Sequence, residues 1–244
     1  MLVSSLLAVH SALWLQGVDK EAAMIDVWLD TDEREDVLSS IVMCRLCVTE
    51  AINDRQFVKW AILSLHNALQ GAMVCHLMGT ANLGALDRKS FKRSQDWHQR
   101  DRCRAVHGEP TAREKFPNIP EKAPETKIAD SRTLFSMLSN EHKRQEWAGD
   151  ILSVTEGEKR AFEKLHGLRN EFAHFSPKGW SIELSGVPEI FRCNLDVLTK
   201  IASDGWPFRH MKEERLKRLN LELAELRAAI DELEKRLDLG RCNS

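Results

Sequence analysis

Seven apolar residues near the C-terminus, Leu216, Leu219, Leu223, Leu226, Ile230, Leu233 and Leu237, are separated by three and four residues in strict alternation. Only an α-helix gathers positions at that spacing onto one side. The stripe is narrow and its flanks are polar, which is the pattern of a heptad seam with a positions at Leu216, Leu223, Ile230 and Leu237. In that register Glu222 falls at g and Arg227 at the next e, a pair that attracts across two parallel helices. Glu214/Arg218, Asp231/Lys235 and Glu232/Arg236 add i,i+4 pairs in the favourable order. The spacing predicts a coiled coil over 208–240, with a second copy of the chain as partner. The competing arrangement is one long amphipathic helix lying on its own domain.

The same period continues upstream. Asp32, with Glu35 three residues on, reads as an N-cap, and Val37, Ile41, Cys44, Val48 and Ile52 follow at helical spacing. Phe57, Trp60, Ile62, Leu65, Leu69, Met73 and Leu77 make the next helix apolar on nearly all sides, so it belongs at the centre, with Gly79 as its stop. Lys59, His66, Asn67, Gln70 and His76 within it would be penalised in a bilayer, so it reads as a buried helix and not a membrane span. A short helix is expected near 131–138. Thr155 and Glu158 form a capping box that opens a helix ending before Pro177, and Pro188 sits in the first turn of another that Gly205 closes.

With 43% apolar and 30% charged residues the chain can bury a core, and 12 glycines with 7 prolines are too few for a turn-rich β fold. The fold class expected is all-α. A net charge of −2 excludes a uniformly basic nucleic-acid coat, yet charge is unevenly placed. Residues 21–54 carry two basic against nine acidic side chains, and residues 88–115 carry nine basic against four acidic. Pro110, Pro117, Pro120 and Pro124 follow closely, so 88–128 is expected to be a basic, Pro-rich insertion or linker. It admits two readings: a path for RNA with Trp97 available for stacking, or a solvated, flexible insertion. Three parts are therefore expected, a helical segment over 1–34, a helical domain over 35–207 and the coiled coil. Residues 1–16 lack a positive n-region and read as an amphipathic helix packed on the body, not as a signal peptide. Six dispersed cysteines fit a reduced, cytoplasmic setting. Cys44 and Cys47 form a CxxC, but they sit in an apolar helical stretch without a second ligand pair, so core packing is expected and no metal or cofactor.

The chemistry concentrates in Arg169, Asn170 and His174. At about 100° per residue, Asn170 and His174 lie about 40° apart on one helix face, and Arg169 lies about 140° from His174. Bringing Arg169 to His174 needs a distorted helix end or a second copy. Leu165, Leu168, Phe172 and Phe175 give the same helix its buried stripe. An imidazole, a guanidinium and an amide can cleave RNA without a metal, because RNA supplies its own 2′-OH nucleophile. The same residues can also serve as a structural polar cluster at a helix end. His66 reads as a satisfied core histidine, and His166, four residues before Asn170, as a residue bordering the cleft.

Arg169, Asn170 and His174 match the R-N-x3-H motif of the HEPN (higher-eukaryote-and-prokaryote nucleotide-binding) superfamily. The helix from Trp60 to Gly71 resembles that family's first core helix, and the order of long helix, variable insertion, motif helix and closing helix also agrees over residues 35–204. The resemblance implies a HEPN-like helical bundle that dimerises with two motif helices facing a cleft. It implies a metal-independent endoribonuclease leaving 2′,3′-cyclic phosphate ends, with Arg169 stabilising the transition state, His174 as general base or acid, and Asn170 as positioning residue. A bacterial toxin or abortive-infection effector, with RNA as substrate and an antitoxin or defence protein as possible partner, is the biological class implied. A non-catalytic RNA- or nucleotide-binding module recruited through the coiled coil is the alternative. One toxin branch of the family continues the motif with a Tyr that an antitoxin modifies. Here that position is Ser176, and the chain contains no Tyr.

Overall fold

The computed structural model describes residues 28–174, 179 and 181–242, without the side chains of 240–242. The chain divides into two units, Met1–Asp30 and Thr31–Ser244. The helix expected over residues 1–16 lies outside the described residues. Among these the architecture is all-α, with eight α-helices, two short 3-10 turns and one isolated β-bridge.

Helix α1, Glu33–Glu50, begins where the Asp32 carboxylate accepts from the Arg34 and Glu35 amides, as its sequence predicts. Helix α2, Phe57–Leu77, runs through the centre, with Ala61, Ile62, Leu65, Ala68, Leu69, Ala72 and Met73 all fully buried. A Cβ at Gly71 would stand 2.8 Å from Val37 Cγ2, so the missing side chain lets α1 and α2 close on one another. Cys44 and Cys47 are buried on the inner side of α1, where the Cys44 thiol approaches the Ala61 carbonyl at 3.5 Å. Burial pushes the Cys44 thiol far above its usual range, so it packs as an apolar side chain, as expected.

Of the two forms expected for 88–128, insertion or linker, the region takes that of an insertion, and its first part is helical. Helix α3, Arg88–His107, opens on Asp87, whose carboxylate accepts from the Ser90 amide. Gly108, at a φ of 82°, reverses the chain into helix α4, Glu109–Lys115. Pro110 does not interrupt α4 because it lies in the first turn, where its missing N–H is not needed. The buried Arg100 of α3 pairs with Glu109 of α4. Both ends of this excursion meet at the antiparallel bridge between Leu86 and Ile128, where Asp87 N donates to Lys127 O at 2.8 Å and Ala129 N to Ala85 O at 2.9 Å. Trp97 is not a free platform, since its indole N–H donates to the Glu121 carbonyl at 3.1 Å.

Helix α5, Ser131–Leu138, is capped by Asp130 and packs on α2. Helix α6, Glu156–Ala173, begins with the predicted capping box of Thr155 and Glu158 and also packs on α2. Helix α7, Val187–Ser203, carries Pro188 in its first turn and packs against α6 and α2.

Helix α8, Glu213–Cys242, corrects the largest expectation. Its seam is buried inside its own chain: Leu219, Leu223, Leu226, Ile230 and Leu233 belong to the common core, against α1 and α7. The charges set aside for a second copy are also used at home. Glu222 accepts from Arg45 Nε of α1 at 2.7 Å, and Arg227 pairs with Asp196 of α7. The 3-4 stripe finds its partner surface within the fold, so α8 is neither a coiled coil with another copy nor a separate domain. Each buried seam residue contributes about 1.5–3 kcal/mol of transfer free energy to this docking.

Candidate functional site

The motif helix α6 lies beside α2, and their contact is polar at one level. His66 of α2 is only 3% exposed, yet its Nε2 meets Nδ1 of His166 on α6 at 3.0 Å. One turn further along α6, Asn170 Nδ2 stands 3.1 Å from His166 Nε2. Asn170 Oδ1 in turn accepts from Arg169 Nη1 at 3.0 Å. His166 is backed by Phe162, whose ring lies 5.9 Å from its own, and Phe162 stacks on Phe135 at 4.0 Å.

The donor directions in this chain are fixed by its first member. A guanidinium can only donate, so the Asn170 oxygen faces Arg169 and the Asn170 amino group faces His166. His166 Nε2 must then accept, which leaves its proton on Nδ1 to donate to His66 Nε2. Every proton points from Arg169 toward His66, and both imidazoles are neutral. Burial agrees with this assignment. It pulls His66 down to about 4, helped by the nearby Arg169 guanidinium and by the adjacent His166 ring, which disfavours a second proton between them, and it lowers His166 as well, helped by Arg132. Protonating either ring would place two donors face to face.

The chain of bonds ends at an open groove of about 570 Å³ between α1, α2 and α6. Met43, Trp60, His66, Asn67, Gln70 and Arg169 are among its lining residues, and among the described residues that line it Arg169 is the only formally charged one. Trp60 is 53% exposed there. Asn67 is held by Asp36 and Ser40 at 2.9 Å each, and Gln70 accepts from Ser131 at 2.8 Å. The groove offers one oriented guanidinium, amide groups and an indole face, a combination suited to a phosphate with an attached base.

His174 is placed differently. Helix α6 ends at Ala173, and His174 is its C-cap, with φ −112° and ψ 86° and an amide that donates to Asn170 O at 3.0 Å. Its side chain is exposed. The helix thus stops at His174 with its last i→i+4 bond in place. Even so, among the described residues no hydrogen bond joins the His174 imidazole to Arg169 or Asn170. Within one chain the structure brings Arg169 and Asn170 together and leaves His174 apart. The residues that sequence reasoning did not place in the site are His66 and His166. His66 stood as a core histidine and His166 as a border residue; no local signal ties positions one hundred apart.

Compared with family models, characterised proteins and solved structures, the chain matches none.

Proposed function

We propose that the chain is a metal-independent endoribonuclease of the HEPN type, whose site is completed when Arg169 of one copy meets His174 of another. One observation carries this reading. A one-way hydrogen-bond chain from Arg169 through Asn170 and His166 to His66 holds the guanidinium at an open groove, while the same helix ends in an exposed histidine.

In the proposed reaction the 2′-OH of RNA attacks the adjacent phosphorus. His174 takes the 2′-OH proton as the 2′-oxygen-to-phosphorus bond forms. The bond from phosphorus to the 5′-oxygen breaks, and that oxygen leaves with a proton from a second imidazole or from water. The products are a 2′,3′-cyclic phosphate and a 5′-hydroxyl. Arg169 neutralises charge that develops on the non-bridging oxygens. Asn170 restricts the rotamers of Arg169, because its oxygen is aimed by the bond its amino group makes to His166. Trp60 provides a face on which an adjacent base stacks. A toxin or abortive-infection effector is the biological role this chemistry would serve.

A second reading follows from the separation of Arg169 and His174. The groove would then bind RNA or a nucleotide without cutting it. Recruitment through the α8 seam is not part of either reading, since that seam is buried.

The deciding experiment is cleavage of total RNA by purified protein in EDTA, beside His174→Ala, with product ends mapped. Cleavage that leaves cyclic phosphate or 3′-phosphate ends and disappears in the variant is the expected result. Equal cleavage by the variant would refute the assignment of His174, and an intact RNA pool with a folded protein would favour the binding module.

A further inference from the structure

The excursion between Leu86 and Ile128 is a structured arm without an assigned task. Its helix α3 packs on α4 and is held to the rest of the protein at the bridge that closes the excursion. Residues 88–127 carry eleven Lys and Arg against six Asp and Glu, in a chain whose net charge is −2, so the remainder is net −7.

The two sides of α3 treat their charges in opposite ways. On the opposite side, Arg93 donates to the Glu125 carbonyl, the buried Arg100 pairs with Glu109, and the exposed Arg104 bonds Asp101 at 2.5 Å. On α4, Arg113 pairs with Glu121 at 2.5 Å. On the outer side, Arg88, Lys92, Gln95, Gln99 and Arg102 are all exposed. At about 100° per residue they fall within an arc of about 80°, and at 1.5 Å per residue they span about 21 Å. Asp96 lies about 40° beyond that arc and Asp101 is turned away from it.

We infer that this outer face of α3 binds the sugar-phosphate backbone of a single RNA strand. A row of cations separated by amide side chains matches a partner whose negative charge repeats along its length, and backbone contacts of this kind need no sequence reading. A lipid surface would require a broad apolar face beside the cations, and Val106 is the only large apolar side chain of α3 that is strongly exposed. The choice of RNA over another polyphosphate rests on the ribonuclease reading; the choice of a phosphate backbone does not.

The test uses full-length His174→Ala protein, so that the RNA stays intact, and the fluorescence anisotropy of a labelled 20-nucleotide RNA over a salt series. Adding Arg88→Gln, Lys92→Gln and Arg102→Gln is expected to weaken binding at least tenfold. The slope of log affinity against log salt should fall by about two, at about 0.7 per phosphate contact on a single strand. Conservative Arg88→Lys with Arg102→Lys should retain binding. A control with the same charge change, Lys212→Gln, Lys217→Gln and Lys235→Gln, should bind as the parent does. An unchanged slope in the α3 variant, an equal loss in the control, or α3-dependent binding to phosphatidylserine vesicles without binding to RNA would each overturn the inference. Cleavage is scored separately on protein with His174 intact. Its absence alongside α3-dependent binding sinks the ribonuclease reading and leaves this one standing.

Discussion

His66 Nε2 and His166 Nδ1 are joined by a 3.0 Å hydrogen bond between two helices, and the two residues are one hundred positions apart in sequence. In the donor order set by Arg169, His66 Nε2 is the acceptor, so a proton on that nitrogen breaks the bond and couples the order of the groove to proton concentration.

That coupling has a sign. Burial holds His66 at about 4 in the folded protein, whereas an unfolded histidine titrates near 6.5. Between those values the unfolded chain binds more protons than the folded one, so stability is full above pH 6.5 and is lost as pH falls toward 4. His166 and His76 are shifted in the same direction by burial. His66 alone accounts for about 3 kcal/mol over that window. Urea midpoints measured from pH 7.5 to 4.5 should fall more steeply for the parent than for His66→Gln, whose side-chain oxygen can still accept from His166. Parallel curves would show that His66 does not carry the effect.

Asn170 sets the polarity of the chain, and one atom tests it. In Asn170→Asp an acceptor replaces the amino group that faces His166 Nε2, so the imidazole must carry a proton there to keep the contact. The His166 titration followed by imidazole NMR should move up by about one to two units, from a nearby negative charge. No movement would mean that residue 170 does not face His166.

The seam of α8 should behave as core. Ile230→Ala is expected to lower unfolding free energy by about 2–5 kcal/mol through a buried cavity, with the mass measured by light scattering unchanged. A variant that kept its stability but lost a partner copy would restore the coiled-coil arrangement.

Thiol labelling distinguishes the CxxC as core from a reactive pair. Cys44, Cys47 and Cys75 are buried, and burial raises Cys75 to about 12. Iodoacetamide at pH 8 should modify Cys103, which is partly exposed, while these three stay unmodified until denaturant is added. Rapid alkylation of Cys44 or Cys47 in native protein would contradict their packing.

Local features were readable because their causes are local. The Asp32 cap, the Thr155 and Glu158 box and Pro188 in a first turn each depend on residues within one helical turn. Of the prolines after residue 109 only Pro110 misled, since proline breaks a helix interior but starts a helix well and nothing nearby in sequence separates those positions; Pro117, Pro120 and Pro124 lie in irregular chain as expected. The 3-4 stripe of α8 was legible, yet its partner was not. Glu222 and Arg227 are as well satisfied by Arg45 and Asp196 as by a neighbouring chain, and hydrophobic burial does not care which surface it meets. Within the site, the sequence places Asn170 and His174 on one helix face, whereas in the fold the Asn170 side chain bonds Arg169 and His166. The histidines behind them depend on how α2 and α6 cross, which is a property of the packed fold.

The bridge at Leu86 and Ile128 places the two ends of a forty-residue excursion side by side. The helical bundle therefore closes over that junction whatever lies beyond it, and chain-closure entropy grows only slowly with the length of the inserted piece. Such a junction lets an ancestral bundle acquire, lengthen or exchange an appendage without renegotiating its core. The arm and the bundle can thus diverge at different rates, like a handle refitted to the same blade.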